Sequence, residues 1–351
     1  MSGIRLDPPA VAMLWQGVGR AHREFTVAEV ALGPGEVLVE VELATVCGSD
    51  LHTVSGRRPG PAPMVLGHET VGRVVHLGPG PAARDVGGRP ITAGDRVSVG
   101  IYSSCGDCPP CLRGLPQKCE RLFKYGHAAG AALYGGYASH LHVRAGTPLA
   151  AVPEDLPAGV AAAIGCATAT SVAVVAAGGD LSGRSATVCG AGLLGLLTTA
   201  MLTEAGMAVT VLDPDPSRRA LALTMGATAV LDAITEPPVA DLYVELSGAA
   251  AAARAAPRRT AYGGVIVLAG TVSPGVDLAW DAQDIVRGLL TVRGVHNYTP
   301  AHLAEAASWS ARAVSRWPIA EFLGPVHPLA DLDLALVASA RATSIRVGVA
   351  P

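Results

Sequence analysis

The sequence predicts an α/β fold in two parts, a doubly wound parallel sheet and a separate β-rich domain that the chain visits twice. Three observations carry this. From about residue 185 onward, apolar runs of strand length alternate with helical segments, the pattern of βαβ units. Before about residue 155 the runs are short, strand-like and broken by Gly and Pro, with little helical periodicity. After residue 295 a helix leads back into another Pro- and Gly-punctuated section. A chain of 351 residues is long for one core and sufficient for two. The expected division is 1–155 with 297–351 as the β-rich domain and 156–296 as the doubly wound one.

Residues 36–43 alternate, placing Val37, Val39, Val41 and Leu43 on one face of a half-buried strand. Residues 160–177 approach membrane-spanning length, but they are mostly Ala, interrupted by Gly165 and several Thr and Ser, and predict a buried helix. The parallel-sheet strands are expected at 185–188, 208–212, 240–245, 265–269 and 290–295. Helices are expected at 193–204 and at 217–224, with Pro216 suited to the first turn of the second. Thr299 caps a further helix that has Pro300 in its first turn. Half the residues are hydrophobic and 16% are charged, which excludes a disordered chain. A net charge of −3 offers no footprint for nucleic acid or an anionic membrane. Residues 1–10 contain no apolar stretch of signal-peptide type, so the expected location is the cytoplasm, with reduced thiols.

Cys105, Cys108, Cys111 and Cys119 form C-x2-C-x2-C-x7-C in a Gly- and Pro-rich stretch. Four thiolates so spaced predict a closed tetrahedral zinc site, structural because protein fills every metal position. A disulfide pair would need an oxidising compartment. A nucleic-acid-binding zinc module would need more than Arg113 and Lys118 between the outer cysteines.

The string Ala186-Thr-Val-Cys-Gly190-Ala-Gly192-Leu193-Leu194-Gly195 runs a strand into G-x-G-x-x-G and then a helix. Gly190 permits the tight turn, Gly192 admits a pyrophosphate, and Gly195 lets helix and strand pack closely. Asp213, where the second strand ends, is placed to bind ribose hydroxyls and repel a 2′-phosphate, which favours NAD. Arg218 and Arg219 follow closely and leave NADP open as the second choice. Cys189, just before Gly190, is expected to be a small core residue.

Cys47, His68 and Cys166 are distant in sequence, but three N/S ligands with a fourth position open make a catalytic zinc. Each sits in informative company: Cys47-Gly-Ser49-Asp-Leu-His52, Gly67-His68-Glu69, and Gly165-Cys166-Ala-Thr-Ala-Thr170. With the four-cysteine cluster and the glycine fingerprint in this order, the chain resembles the zinc-dependent medium-chain alcohol dehydrogenases over essentially its whole length. The resemblance implies a Rossmann domain and a GroES-like catalytic domain. It assigns Cys47, His68 and Cys166 to the catalytic zinc and Glu69 to the acidic neighbour behind it. Ser49 and His52 match a proton relay, Thr170 a residue beside the nicotinamide, and Arg346 a pyrophosphate-binding arginine. Residues between Gly78 and Gly94 exceed the family pattern and are expected to form a surface loop.

The resemblance further implies two zinc ions per chain, a homodimer or homotetramer, and oxidation of an alcohol to an aldehyde or ketone with hydride transfer to NAD. Strings such as Gly114-Leu-Pro-Gln-Lys-Cys119, Lys124-Tyr-Gly-His127 and Gly294-Val-His-Asn-Tyr298 resemble a bacterial clade associated with phosphonate catabolism. A phosphonate-bearing alcohol would need a cation, for which Arg57, Arg58, Lys124 and His127 are candidates, with His296 and Tyr298 nearby in the pattern. Two alternatives stay open: a neutral secondary or cyclic alcohol as substrate, and a non-catalytic binding protein that keeps the fold.

Overall fold

A computed structural model describes residues 3–180, 183–233, 235–271, 276–341 and 344–351. The chain forms two compact units, one of residues up to Cys166 with Thr299–Pro351, the other of Ala167–Tyr298.

Among the described residues of the first unit, the main sheet runs Leu149–Ala151, Arg96–Val99, Glu69–Leu77, Val37–Thr45, Arg346–Ala350 and Leu323–Pro328, with His140–Val143 also paired to Val37–Thr45. Strand Val37–Thr45 turns Val37, Val39 and Val41 into one apolar cluster with Val74, Val97 and Leu141. It is not half-buried throughout, however. Leu38 on its other face packs into a second cluster with Leu6, Leu14 and Val65, so the strand starts between two apolar layers. The small sheet of Arg23–Val30, Ile4–Trp15 and Met64–Val65 supplies that second layer. A two-stranded ribbon, Tyr102–Ser103 with Phe123–Lys124, flanks the cysteine cluster. Residues 78–94 lie mostly at the surface; Asp85 accepts the N–H groups of Gly87 and Arg89, while Ile91 anchors the loop in the core.

Among its described residues the second unit carries six parallel strands in the order Ala229–Leu231, Ala208–Leu212, Ser185–Cys189, Ala240–Glu245, Thr260–Leu268 and Thr291–Gly294. Numbered along the chain this is 3-2-1-4-5-6, the doubly wound order of dinucleotide-binding sheets. Helices Leu193–Glu204 and Pro216–Thr224 fall where the sequence places them. Thr299 caps Pro300–Ala313 by accepting the His302 N–H.

Helix Ala158–Gly178 is long and apolar enough to cross a membrane, yet 67% of its apolar window is buried inside the protein. It widens into a π-turn at Ile164–Thr168, and Cys166 sits within that turn. Such turns re-aim a side chain by inserting one residue into the helical repeat.

Candidate active site

Three backbone devices bring distant residues of the first unit together. Cys47 precedes the short helix Gly48–Val54, and its backbone N–H donates to Asp50 Oδ2 at 3.0 Å. His68 follows Gly67, whose φ of +90° only glycine holds without strain; a Cβ there would also press on the Tyr137 backbone. Cys166 follows Gly165, where a Cβ would collide with the Val99 carbonyl oxygen, so the π-turn lies directly on strand Arg96–Val99. One donor atom from each of Cys47, His68 and Cys166 lies within 4.8 Å of the others.

Around this triad, Ser49 Oγ lies 3.2 Å from His68 Nε2. His52 follows Ser49 by three residues on the same short helix, hence on the same face. Glu69, fully buried, accepts from Thr45 Oγ1 at 2.6 Å and receives a forked pair from Arg346, 2.8 Å from Nε and 3.0 Å from a terminal nitrogen. The remaining Arg346 nitrogen donates to the Ile345 carbonyl. Arg346, expected at a pyrophosphate, also pairs with the carboxylate behind the triad.

The second cluster is as tight. The sulfurs of Cys105, Cys108, Cys111 and Cys119 lie within 4.8 Å of one another, and no disulfide forms among the described residues. Cys119 Sγ accepts the backbone N–H groups of Cys105 and Arg121, both at 3.3 Å. N–H groups at Cys111 and Glu120 pull the Cys108 thiol down to about 6, against the effect of burial. Backbone donors aimed at sulfur stabilise thiolate, the form a metal binds. Four soft donors fit a closed zinc site; two thiols and an imidazole fit an open one.

In the second unit, Gly190 has φ +101° and sits against the Ser247 backbone, while a Cβ at Gly195 would collide with the Gly190 carbonyl. Nothing but Arg218 Nη1, at 3.5 Å, lies near the missing Cβ of Gly192. Gly192 caps helix Leu193–Glu204, so the N–H groups of Leu193 and Leu194 belong to its unpaired first turn, a site for phosphate oxygens. Asp213 accepts from Ala191 N–H at 2.7 Å and Asp215 N–H at 2.9 Å. Arg219 is engaged locally: Nη1 donates to the Asp213 and Pro214 carbonyls and reaches Asp232. Thr170 lies just past the π-turn, in helix Ala169–Gly178.

Residues 33–154 match the alcohol dehydrogenase GroES-like domain and residues 194–312 the zinc-binding dehydrogenase family. An alcohol dehydrogenase of Geobacillus stearothermophilus is 30% identical over 83% of this chain and 85% of its own length. The chain belongs to the zinc-binding alcohol dehydrogenase family. An alcohol dehydrogenase from Thermotoga maritima superposes with a TM-score of 0.90 at 25% identity, covering 97% of this chain and 99% of that one. A zinc-binding dehydrogenase from Sinorhizobium meliloti, solved with NADP, gives 0.85 at 27% identity over the whole of both chains. The dehydrogenase is therefore a zinc-dependent oxidoreductase of the NAD(P)-using kind.

Sequence reasoning missed what orients the dehydrogenase's triad. Asp50, fully buried, holds Cys47 N–H, accepts from Tyr137 Oη at 3.0 Å, and places its other oxygen 3.5 Å from His68 Nδ1. A carboxylate behind a metal-binding imidazole fixes its ring and raises its basicity. The Asp lies within the Cys47–His52 string, but only the fold shows which ring it meets. Burial opposes protonation of His68, yet Asp50 outweighs it and pushes the imidazole up to about 10. A hydrogen bond from Cys166 holds the Cys47 thiol well below its usual range, and the same bond, with burial, raises the Cys166 thiol. Beyond the triad, burial first and Arg58 second pull Lys124 down to about 8 and His127 to about 2.

Proposed function

We propose that this dehydrogenase oxidises an alcohol to an aldehyde or ketone, passing hydride to NAD, with one zinc at Cys47, His68 and Cys166 and a second at Cys105, Cys108, Cys111 and Cys119. The observation that carries the reading is the three-donor triad with a serine hydroxyl on its imidazole. A zinc held by Cys47, His68 and Cys166 would supply Lewis acidity that eases deprotonation of a substrate hydroxyl, and a bound NAD would supply the hydride acceptor. The chain's own part is the proton's exit. Ser49 Oγ receives it beside His68, and His52, one turn along the same face, takes it on. Burial, Arg57 and Arg58 hold the His52 pKa down, so its ring is neutral and able to accept at pH 7. Glu69, clamped by Arg346 and Thr45, is the carboxylate held behind the triad, where burial raises its pKa and Arg346 opposes the rise. The test is NADH formation at 340 nm by zinc-loaded protein across primary, secondary, cyclic and phosphonate-bearing alcohols. Zinc binding without turnover on any of them would leave a non-catalytic binding protein. The phosphonate-related substrate rests on string resemblance, with neutral cyclic alcohols as the second reading. Cysteines grouped as metal donors rather than as disulfides suit a reducing compartment, and a cytoplasmic location is proposed on that ground.

For the cofactor, Gly190, Gly192, Leu193, Leu194, Gly195, Asp213, Thr170 and Arg346 are proposed as binding residues, with NAD preferred and Arg218 at the adenosine end. Asp213→Ser is expected to lower the NAD-over-NADP ratio of kcat/KM by about 10–100-fold, the worth of a charge-assisted hydrogen bond. It should also raise KM for both cofactors, because Ala191 N–H loses its acceptor. A wild-type preference for NADP would overturn the assignment.

The subunit partner is proposed to be a second copy joined at strand Thr291–Gly294. This strand ends the six-stranded sheet with all four residues exposed. It carries Val292 (42% exposed), and near it are the exposed side chains of Tyr262 (87%), Val286 (71%) and Leu289 (75%). A bare edge flanked by apolar side chains invites strand pairing, and pairing with its own copy about a two-fold closes the assembly. Val292→Lys should reduce the sedimentation mass by half; an unchanged mass would place the interface elsewhere.

A further inference from the structure

Two glycine turns stack back to back beside the triad. Gly126, at φ +69°, lies so close to Gly67 that a Cβ on it would sit 3.0–3.3 Å from the Gly67 backbone. The turn after strand Phe123–Lys124 is thereby pressed against the turn that presents His68. The ring of His127 lies with its centroid 6.1 Å from that of His68. His127 Nε2 is buried and has no hydrogen-bond partner among the described residues. The Lys124 side chain is half-buried and makes no hydrogen bond or ion pair among the described residues. The Arg58 side chain makes none either, its backbone N–H alone being engaged, on the His52 carbonyl at 2.9 Å.

The charges acting on Lys124 are Arg58, Lys118 and the thiols of Cys47 and Cys166. The buried carboxylates of the site are already committed, Asp50 to Cys47, Tyr137 and His68, and Glu69 to Arg346 and Thr45. Two thiolates balance a divalent metal, which leaves Lys124 and Arg58 without counter-charge. Partial burial of an unpaired ammonium is unfavourable until an anion meets it.

We infer that Lys124 and Arg58, with the His127 ring as a hydrogen-bonding partner, form a subsite for an anionic group on the substrate, a carboxylate or phosphonate, next to the Cys47–His68–Cys166 triad. This rests on the alcohol-dehydrogenase reading above and adds to it where the substrate's charge is held.

The experiment compares zinc-loaded wild type with Lys124→Met and Arg58→Met, chosen to keep side-chain length, and with Arg57→Met as an exposed charge control. Substrates are 2-hydroxyethylphosphonate and 3-hydroxypropionate against 1-butanol and cyclohexanol. Lys124→Met is expected to lower the anionic-over-neutral ratio of kcat/KM by about 10–100-fold, chiefly through KM, as loss of a charge-assisted hydrogen bond does. Arg58→Met should lower it by a smaller factor, and Arg57→Met by less than about 3-fold. The larger loss among the two anionic alcohols identifies phosphonate or carboxylate as the group held. Equal effects on both substrate classes, or turnover of neutral alcohols alone, would overturn the subsite and leave the reaction intact. If no alcohol is turned over, the reaction reading fails and calorimetric titration with methylphosphonate decides the subsite separately. Binding weakened about tenfold or more in Lys124→Met at equal zinc content supports it; equal binding, with the metal alone holding the anion, overturns it.

Discussion

Cys47→Ser and Cys166→Ser are each expected to lower kcat by at least about 10³-fold while leaving the fold in place. A serine hydroxyl is a poor zinc donor at neutral pH, and losing several kcal/mol of Lewis-acid stabilisation corresponds to a loss of this size. The fold should survive because the local structure does not depend on the sulfurs. Asp50 holds the Cys47 backbone N–H, and Gly165 sets the approach of the π-turn to Val99. Zinc should fall from two to one per chain by elemental analysis, with circular dichroism unchanged. Activity within tenfold of wild type, or a single zinc in the wild type, would defeat the assignment.

Cys119→Ser should do the opposite, lowering stability far more than it lowers the chemistry per folded molecule. Its sulfur is the acceptor for two backbone N–H groups as well as a neighbour of Cys105 and Cys108. Without it the loop at 105–119 loses a donor and the metal that organises it, since metal binding at such sites is coupled to folding. A fall in Tm of about 5 °C is expected, as follows from a loss of a few kcal/mol in a protein of this size. The same metal should be the slower to leave in a chelator, because protein surrounds it on every side. A Tm shift no larger than that of Cys47→Ser would remove the structural role.

The second unit was the more legible in sequence, because each βαβ element announces itself locally. Ala208–Leu212, Ala240–Glu245 and Leu193–Glu204 lie where the apolar periodicity puts them. Strand Thr260–Leu268 starts earlier than its apolar run, since Gly263 and Gly264 hide the first half from any hydrophobic pattern. In the first unit the residue types Cys and His made the candidate ligands visible, but not what surrounds them. Helix Gly48–Val54 is too short to show a period. The pairing of Arg346 with Glu69 spans 277 positions, and no local signal connects them. The nearness of His127 to His68 depends on Gly67 meeting Gly126, a contact that only the folded chain makes.

That long span from Glu69 to Arg346 sets an order of events on the ribosome. Translation delivers all of Ala167–Tyr298 before Arg346 exists, so the second unit has its own contacts complete first. Until then the Glu69 carboxylate has no guanidinium, and strand Val37–Thr45 lacks the neighbour that Arg346–Ala350 becomes. The Ala44–Thr45 end of that strand keeps an open edge until a segment 277 positions beyond Glu69 is made. The stretch that waits longest for its partner thus also carries Cys47 and His68, so ordering of this pocket is among the last steps of making the protein.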